Sequence, residues 1–512
     1  MKVAQKVAMN TGFLYGKMVI TMFVSLYSVR LILKALGVED YGIFALIGGV
    51  IGMLSFLNGA MTNATQRFFS FNLGSKDEKK LKDVFNISVI IHLVIGLLVV
   101  LILEIGGAFL FNGILNIPPE RVASAKIVFH FMVVSAFFTI NAVPYSAAIN
   151  AHENMLLDSL VGIFESFMKL GIAIFLLRSN SDRLVMYGLL IASLTILVRF
   201  INSFYSIRNY KECRFEPRAM INVPLMKEMF SYAGWSLFGT LCFIARNQGL
   251  AFVLNLNFGI VINAAYGVAN QVNGQLSAFS SNMYRALIPQ IIKSEGGGDR
   301  QRMLKLTMLG CRVASLLMAF FAIPLIIEMP YVLKIWLSDV PEYTIVFAQL
   351  VLMLKLTQLL TSGLIPAFGA VGKIRAVRLT VGIVLILTLP LAILLIRLGL
   401  PAHFVLIGSI FIELIAGGLR IFYAGRIIGM SIVSFLKTVV VKLLIVYAIS
   451  IAIAYLPSML LDEGFSRLLS TIAISSLAIL TTGWFVVFDE DEKNQILSLV
   501  KAVLVKLRIR KA

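Results

Sequence analysis

Ten basic residues lie inside membrane-length apolar stretches of this 512-residue chain. Lys17, Lys169, Arg246 and Lys355 sit well inside such stretches; Arg30, Arg199, Arg285, Arg312, Arg420 and Lys442 sit nearer their ends. The acids in the same stretches reduce to Glu104, Glu165 and Glu413. A charge in hydrocarbon costs at least ~2.5–3.5 kcal/mol on insertion scales, so these side chains face protein or a water-filled cavity. A cavity lined mainly by Lys and Arg suits an anion, which points to a transporter of something negatively charged.

Each cation has two readings. Arg246, beside Asn247 and Gln248, is placed to hold a diphosphate through its forked donors; the alternative is satisfaction by helix carbonyls or by Glu104 or Glu413. Lys17 either faces the same cleft or snorkels to the nearer interface. Arg30 has the same choice on the opposite side. Arg67 and Arg285 end the second helix of each half and form a basic mouth for the anion, or serve as ordinary anchors. Lys355, near Gln358, either lines the second half or pairs with Glu413. Lys169 has Glu165 one turn away, so a neutral (i, i+4) pair accounts for it. Arg312, Arg199, Arg420 and Lys442 read as anchors.

Other chemistries are missing from the sequence. There is no GxxxxGK[ST] phosphate loop. His92, His130, His152 and His403 are scattered without metal-ligand spacing, and Cys213, Cys242 and Cys311 form no CxxC. No catalytic constellation, cofactor site or metal site is expected, and the chain reads as a carrier, not an enzyme.

The elements holding these residues follow from composition. The chain is 59% hydrophobic and 14% charged, with mean hydropathy +0.91, against about 45–50% and 25% in soluble domains. The net charge of +19 comes from basic residues between apolar stretches, which fits a membrane and not nucleic acid. The expected fold is an all-α polytopic membrane protein of about fourteen transmembrane helices, near 10–36, 41–65, 83–111, 124–150, 156–178, 183–207, 229–256, 262–290, 305–328, 343–370, 376–396, 402–425, 437–456 and 467–487. With the N-terminus inside, the inner segments hold 27 Lys and Arg and the outer loops 8. That bias places both termini in the cytoplasm. Asn494–Lys511 reads as a basic amphipathic tail on the inner surface.

The chain repeats at a spacing of about 222 residues. Gly12-Phe13 matches Gly234-Trp235, Gly37 matches Gly259, Pro119-Glu120 matches Pro341-Glu342 and Pro144 matches Pro366. Arg67 and Arg285 correspond after a short local insertion. Six spans per copy make a parallel repeat about an axis along the membrane normal, with substrate between the copies. The expected parts are a six-helix lobe over 1–210, a second over 225–430, two extra helices over 431–488 and the tail over 489–512.

The motifs Asn10-Thr11-Gly12, Leu36-Gly37-Val38-Glu39-Asp40-Tyr41-Gly42 and Asn63-Ala64-Thr65-Gln66-Arg67-Phe68-Phe69, with the Pro144 region, resemble the multidrug/oligosaccharidyl-lipid/polysaccharide flippase superfamily. The resemblance is greatest to its polysaccharide-biosynthesis branch, the Wzx-type O-antigen flippases, and covers nearly the whole chain. It implies two six-helix lobes, alternating access, and export of a polyprenyl-diphosphate-linked oligosaccharide across the bacterial inner membrane. The implied partners are that glycolipid, membrane lipids, a polysaccharide polymerase and chain-length machinery, with a monomeric transport unit. Two rivals stay open, a peptidoglycan-precursor flippase and a cation-coupled multidrug exporter. The absence of Asp and Glu from the interiors of spans one, two, seven and eight argues against the exporter.

Overall fold

The computed structural model describes residues 3–52, 55–115, 117–216, 222–337, 339–494 and 496–497. Most of the expected basic tail lies outside these residues. The described residues are helical throughout, with no strand among them. In a bilayer this is the expected outcome, because a helix satisfies its backbone hydrogen bonds within one segment.

Among the described residues, twelve helices are long and apolar enough to cross a membrane. Two of the twelve, Lys6–Gly52 and Val223–Gly296, contain a non-helical glycine. Gly37 has φ 78° and ψ 172°, and Gly259 has φ 82° and ψ −174°. At 1.5 Å per residue, a straight 74-residue helix would reach roughly 110 Å, far beyond the ~30 Å hydrocarbon core. Each bend therefore separates two spans, and twelve helices supply the fourteen crossings expected. The second crossing of the first pair continues into Ser55–Ser75.

The 222-residue repeat holds at the backbone. Besides the two glycines, Asp77 caps Glu78–Phe109 by accepting from Lys80 N, and Asp299 caps Arg300–Ile327 by accepting from Arg302 N. Helices also begin at Val122 and Thr344. The offset is the same before and after the second span, so no net insertion lies between. Asn63, and not Arg67, corresponds to Arg285. Arg67 is buried and Arg285 exposed, which corrects their expected equivalence.

Prolines shape three other spans. Helices break at Ala142, Gly363 and Leu387, two or three residues before Pro144, Pro366 and Pro390, where the ring removes a donor and crowds the preceding turn. Pro324 stays within a continuous helix.

The chain divides into two units. One comprises Met9–Leu237 with Gly296–Gly298; the other comprises Met1–Ala8, Phe238–Glu295 and Asp299–Ala512. The first is cored by Phe68, Phe69, Phe85 and Ala147, by Val161, Ala173 and Leu194, and by Ile47, Val128 and Phe129. At one end, Arg121 donates to Asp40 at 2.8 and 2.6 Å and to Asp182 at 3.2 and 3.2 Å. Asp182 also accepts from the Ser124 hydroxyl at 2.6 Å and caps Arg183–Asn209. Burial opposes ionisation of Asp182, but the hydrogen bonds from Ser124, Arg121 and Val185 outweigh it and hold its carboxyl below the usual value.

In the second unit, Arg300–Ile327, Thr344–Val371 and His403–Ile428 bury 61%, 56% and 50% of their most apolar windows, whereas every other candidate span buries at most 33%. These three are its inner helices. Small residues permit the contact: a Cβ on Gly363 would sit 2.7 Å from Cys311 Sγ and 2.9 Å from the Thr307 carbonyl oxygen. Of the two extra helices, Ile432–Leu460 and Phe465–Val487, the second is tied to the first inner helix at both of its own ends. Fully buried Glu328 accepts from Arg467 at 3.0 Å and from Thr471 at 2.8 Å. Arg312 donates to Glu492 and to the Val487 carbonyl at 2.8 Å.

Gly37→Ala should destabilise the protein by about 1 kcal/mol or more, since positive φ disfavours any Cβ. Nothing lies within 4 Å of the added carbon, so the cost is conformational. Gly42→Ala, with ordinary φ and equal space, should be near neutral. Thermal unfolding in detergent checks this; equal effects at both sites would refute it.

A depressed carboxyl stabilises the fold above its unfolded value of ~3.9 and loses that contribution as pH falls through the folded value. Melting temperature should therefore drop on acidification below about pH 4, and Asp182→Asn should be less stable at neutral pH with a shallower acid drop.

Candidate functional site

Glu413 lies on His403–Ile428 and is 1% exposed. Its Oε2 accepts from Arg246 Nη1 at 2.8 Å and from Gln358 Nε2 at 3.3 Å. Its Oε1 accepts from Arg420 Nη1 at 2.8 Å. Arg420 also donates to the Thr361 hydroxyl at 3.0 Å. Arg246 is 1% exposed, donates from Nε to Asn247 at 3.3 Å, and lies 5.1 Å over the Phe243 ring. One carboxylate thus serves two guanidinium groups from two helices, and Gln358 and Thr361 bring in a third.

Local sequence explains the arrangement. Glu413 and Arg420 are seven residues apart, two turns along one helix face. Gln358 and Thr361 are three apart on Thr344–Val371. Arg246 is thirteen residues before the bend at Gly259, Glu413 ten beyond the start of its helix and Lys355 eleven beyond the start of its own. At 1.5 Å per residue these lie roughly 15–20 Å from the helix ends, near the middle of a ~30 Å core.

Beside the cluster is a cavity of about 320 Å³ lined in part by Lys355, Gln358, Arg378, Glu413 and Arg420. Its charges are three positive and one negative. The acid is already committed to Arg246 and Arg420, and Lys355 adds a further positive charge beside them. Lys355 has no hydrogen-bond or ion-pair partner among the described residues. Its ammonium group sits at membrane depth, where an anion or water must satisfy it.

The other unit handles its cations differently. Lys17 bonds Asp158 at 2.9 Å and packs on Gly162, where an added Cβ would meet its Cε at 2.3 Å. At the corresponding positions of the second unit stand Gly239 and Arg378: Gly239 follows Lys17 by the 222-residue spacing, and the helices carrying Asp158 and Arg378 begin 220 residues apart, at Met155 and Arg375. Arg378 packs on Gly239, with Cδ 2.6 Å from an added Cβ. The acid of one unit is a base in the other. In the same unit Lys169 pairs with Glu165 at 2.7 Å and His130 lies 3.0 Å from Glu104, whereas the Arg199 Nε is buried without a hydrogen-bond partner among the described residues.

The structure brings two of the six expected site residues, Arg246 and Lys355, to one place. Lys17 is held by Asp158. Arg67 stacks on Phe68, Phe71 and Tyr232 at 4.5, 5.0 and 5.5 Å, with Glu228 at 3.6 Å. Arg30 and Arg285 are exposed. Arg420, expected to be an anchor, belongs to the buried cluster; its spacing from Glu413 was the available signal. Arg378, which lines the cavity, is not among the six expected site residues. Among the described residues, no group of three or more His, Cys, Asp or Glu side chains is placed to hold a metal ion.

No family model matches the sequence. EpsK of Bacillus subtilis (strain 168), described as an uncharacterized membrane protein, is 20% identical over 301 residues. That match spans 59% of each chain, less than two thirds of the relative's length. Three solved structures are similar. An outward-facing multidrug resistance MATE family transporter of the MOP superfamily gives a TM-score of 0.70 at 14% identity, over 84% of this chain and 98% of that one. A MOP superfamily transporter from Pyrococcus furiosus, described by the reverse polarity of its binding pocket, gives 0.69 at 14%, over 86% and 99%. A Vibrio cholerae MATE transporter, VcmN, gives 0.69 at 16%, over 84% and 98%. The chain therefore has the fold of the MATE transporters of the MOP superfamily, and its relatives by structure are transporters.

Arg246→Ala should cost about 3–5 kcal/mol, because it leaves part of a buried carboxylate uncompensated. Lys355→Ala should cost far less, having no partner to orphan. Unfolding in detergent separates the two; equal losses would contradict the pairing.

Proposed function

We propose that this protein is a transporter that flips a polyprenyl-diphosphate-linked oligosaccharide from the inner to the outer leaflet of the cytoplasmic membrane, for surface polysaccharide synthesis. Lys355, Arg378 and Arg420 contact the diphosphate, and Arg246 positions the site through Glu413. Both termini face the cytoplasm, as the Lys and Arg bias favours. The carrying observation is the mid-membrane cavity whose only named acid is already neutralised by two arginines. The MATE-like fold supports transport, and the surplus positive charge favours an anion over the organic cations of a multidrug exporter. The sequence resemblance to polysaccharide flippases supplies the glycan.

A diphosphate head moving outward from a negative interior gains about 2.3 kcal/mol per charge per 100 mV. Export in proteoliposomes should therefore follow an imposed potassium–valinomycin potential without ATP, and Lys355→Ala should reduce it about tenfold, the size of a lost 1.4 kcal/mol contact. Transport of organic cations with no response to a lipid diphosphate would support the multidrug reading and overturn this one.

A further inference from the structure

We infer that Glu413 is an exchangeable counter-ion, which a phosphate-type anion replaces on Arg420 while Arg246 stays bound to the carboxylate. This rests on the cavity being the anion's site. The geometry is asymmetric. Oε2 holds Arg246 and Gln358, whereas Oε1 holds Arg420. Arg246 does not line the cavity, and Asn247 and Phe243 brace it from its own helix. Arg420 lines the cavity with Lys355. Only Nη1 of Arg420 is engaged; its Nε and Nη2 make no hydrogen bond among the described residues.

An arriving anion thus meets free donors on Arg420 and Lys355. A phosphate group matches the guanidinium fork, which bonds two of its oxygens at once. To bind fully, it competes with the Oε1 contact. On departure the tethered carboxylate takes Arg420 back. Glu413 therefore lowers affinity and speeds release, so that a site rich in cations does not trap its ligand. The cavity volume of about 320 Å³ is at the small end of ligand pockets, roughly 300–1,000 Å³. It admits a phosphorylated head and excludes an oligosaccharide.

The test is binding of inorganic pyrophosphate and of farnesyl diphosphate to the full-length protein in detergent, for wild type, Glu413→Gln and Lys355→Gln. Glutamine keeps the shape of the side chain but removes its charge and replaces one acceptor oxygen with an NH2 donor. Exchange predicts roughly tenfold tighter binding and slower release in Glu413→Gln, a gain of about 1.4 kcal/mol, and weaker binding in Lys355→Gln. Tightening for farnesyl diphosphate alone identifies a lipid headgroup as ligand, and equal tightening for both probes a free diphosphate; either supports exchange. Unchanged or weaker binding in a folded Glu413→Gln overturns exchange while leaving the cavity reading intact. Failure of wild type to bind either probe overturns the cavity reading itself. Should Glu413→Gln not fold, infrared difference spectra of wild type provide the second measurement. The Glu413 carboxylate stretch, assigned by glutamate labelling, should shift on pyrophosphate binding, and no shift would overturn exchange.

Discussion

A charge cannot be left unpaired in hydrocarbon at reasonable cost, and in the C-terminal unit that constraint falls on Glu413. Its two oxygens draw Arg246, Arg420 and Gln358 to one point, which requires three helices to meet near mid-membrane. Breaking such a buried set costs more than forming it returns, because the partner left behind is stranded. The cluster is therefore better understood as a device that defines helix register than as a source of net stability. Glu328 with Arg467 and Thr471, and Arg312 with Glu492, impose the same condition on the last helix.

The two halves of the repeat spend their cations differently. In the first unit Lys17 and Lys169 each have a nearby acid. In the second, the place of Asp158 is taken by Arg378, and Lys355 has no described partner. A repeat supplies the scaffold twice, and substitution at equivalent positions lets the two copies arrange their charges differently. The proposed function lies in the unit where Lys355 and the cavity coincide.

The proposed anion site has a physical difficulty. Several cations in a low-dielectric setting hold an anion tightly, and a carrier must release what it binds. In the proposed exchange, Glu413 resolves this by making binding a competition. It also offsets one of the positive charges of the unloaded cluster, which lowers the cost of the empty state in the membrane.

Long apolar segments, the 222-residue repeat and the excess of basic over acidic residues inside the spans are local properties of the chain, so the all-helical membrane fold was legible without coordinates, as was the need to place positive charge within it. Pairing was not. Arg246 and Glu413 are 167 residues apart, and nothing local to either selects the other over Glu104. Nor does periodicity say which face of a membrane helix meets protein, because the outward face is apolar too. Lys17 and Lys355 look alike as single lysines in apolar spans, yet one meets Asp158 and the other opens on a cavity. The sequence by itself determined that positive charge would have to be accommodated within the membrane. Only the packing of helices distant along the chain decided which charges are neutralised and which remain free for a ligand, because Coulomb energy depends on separation in space and not on separation in sequence.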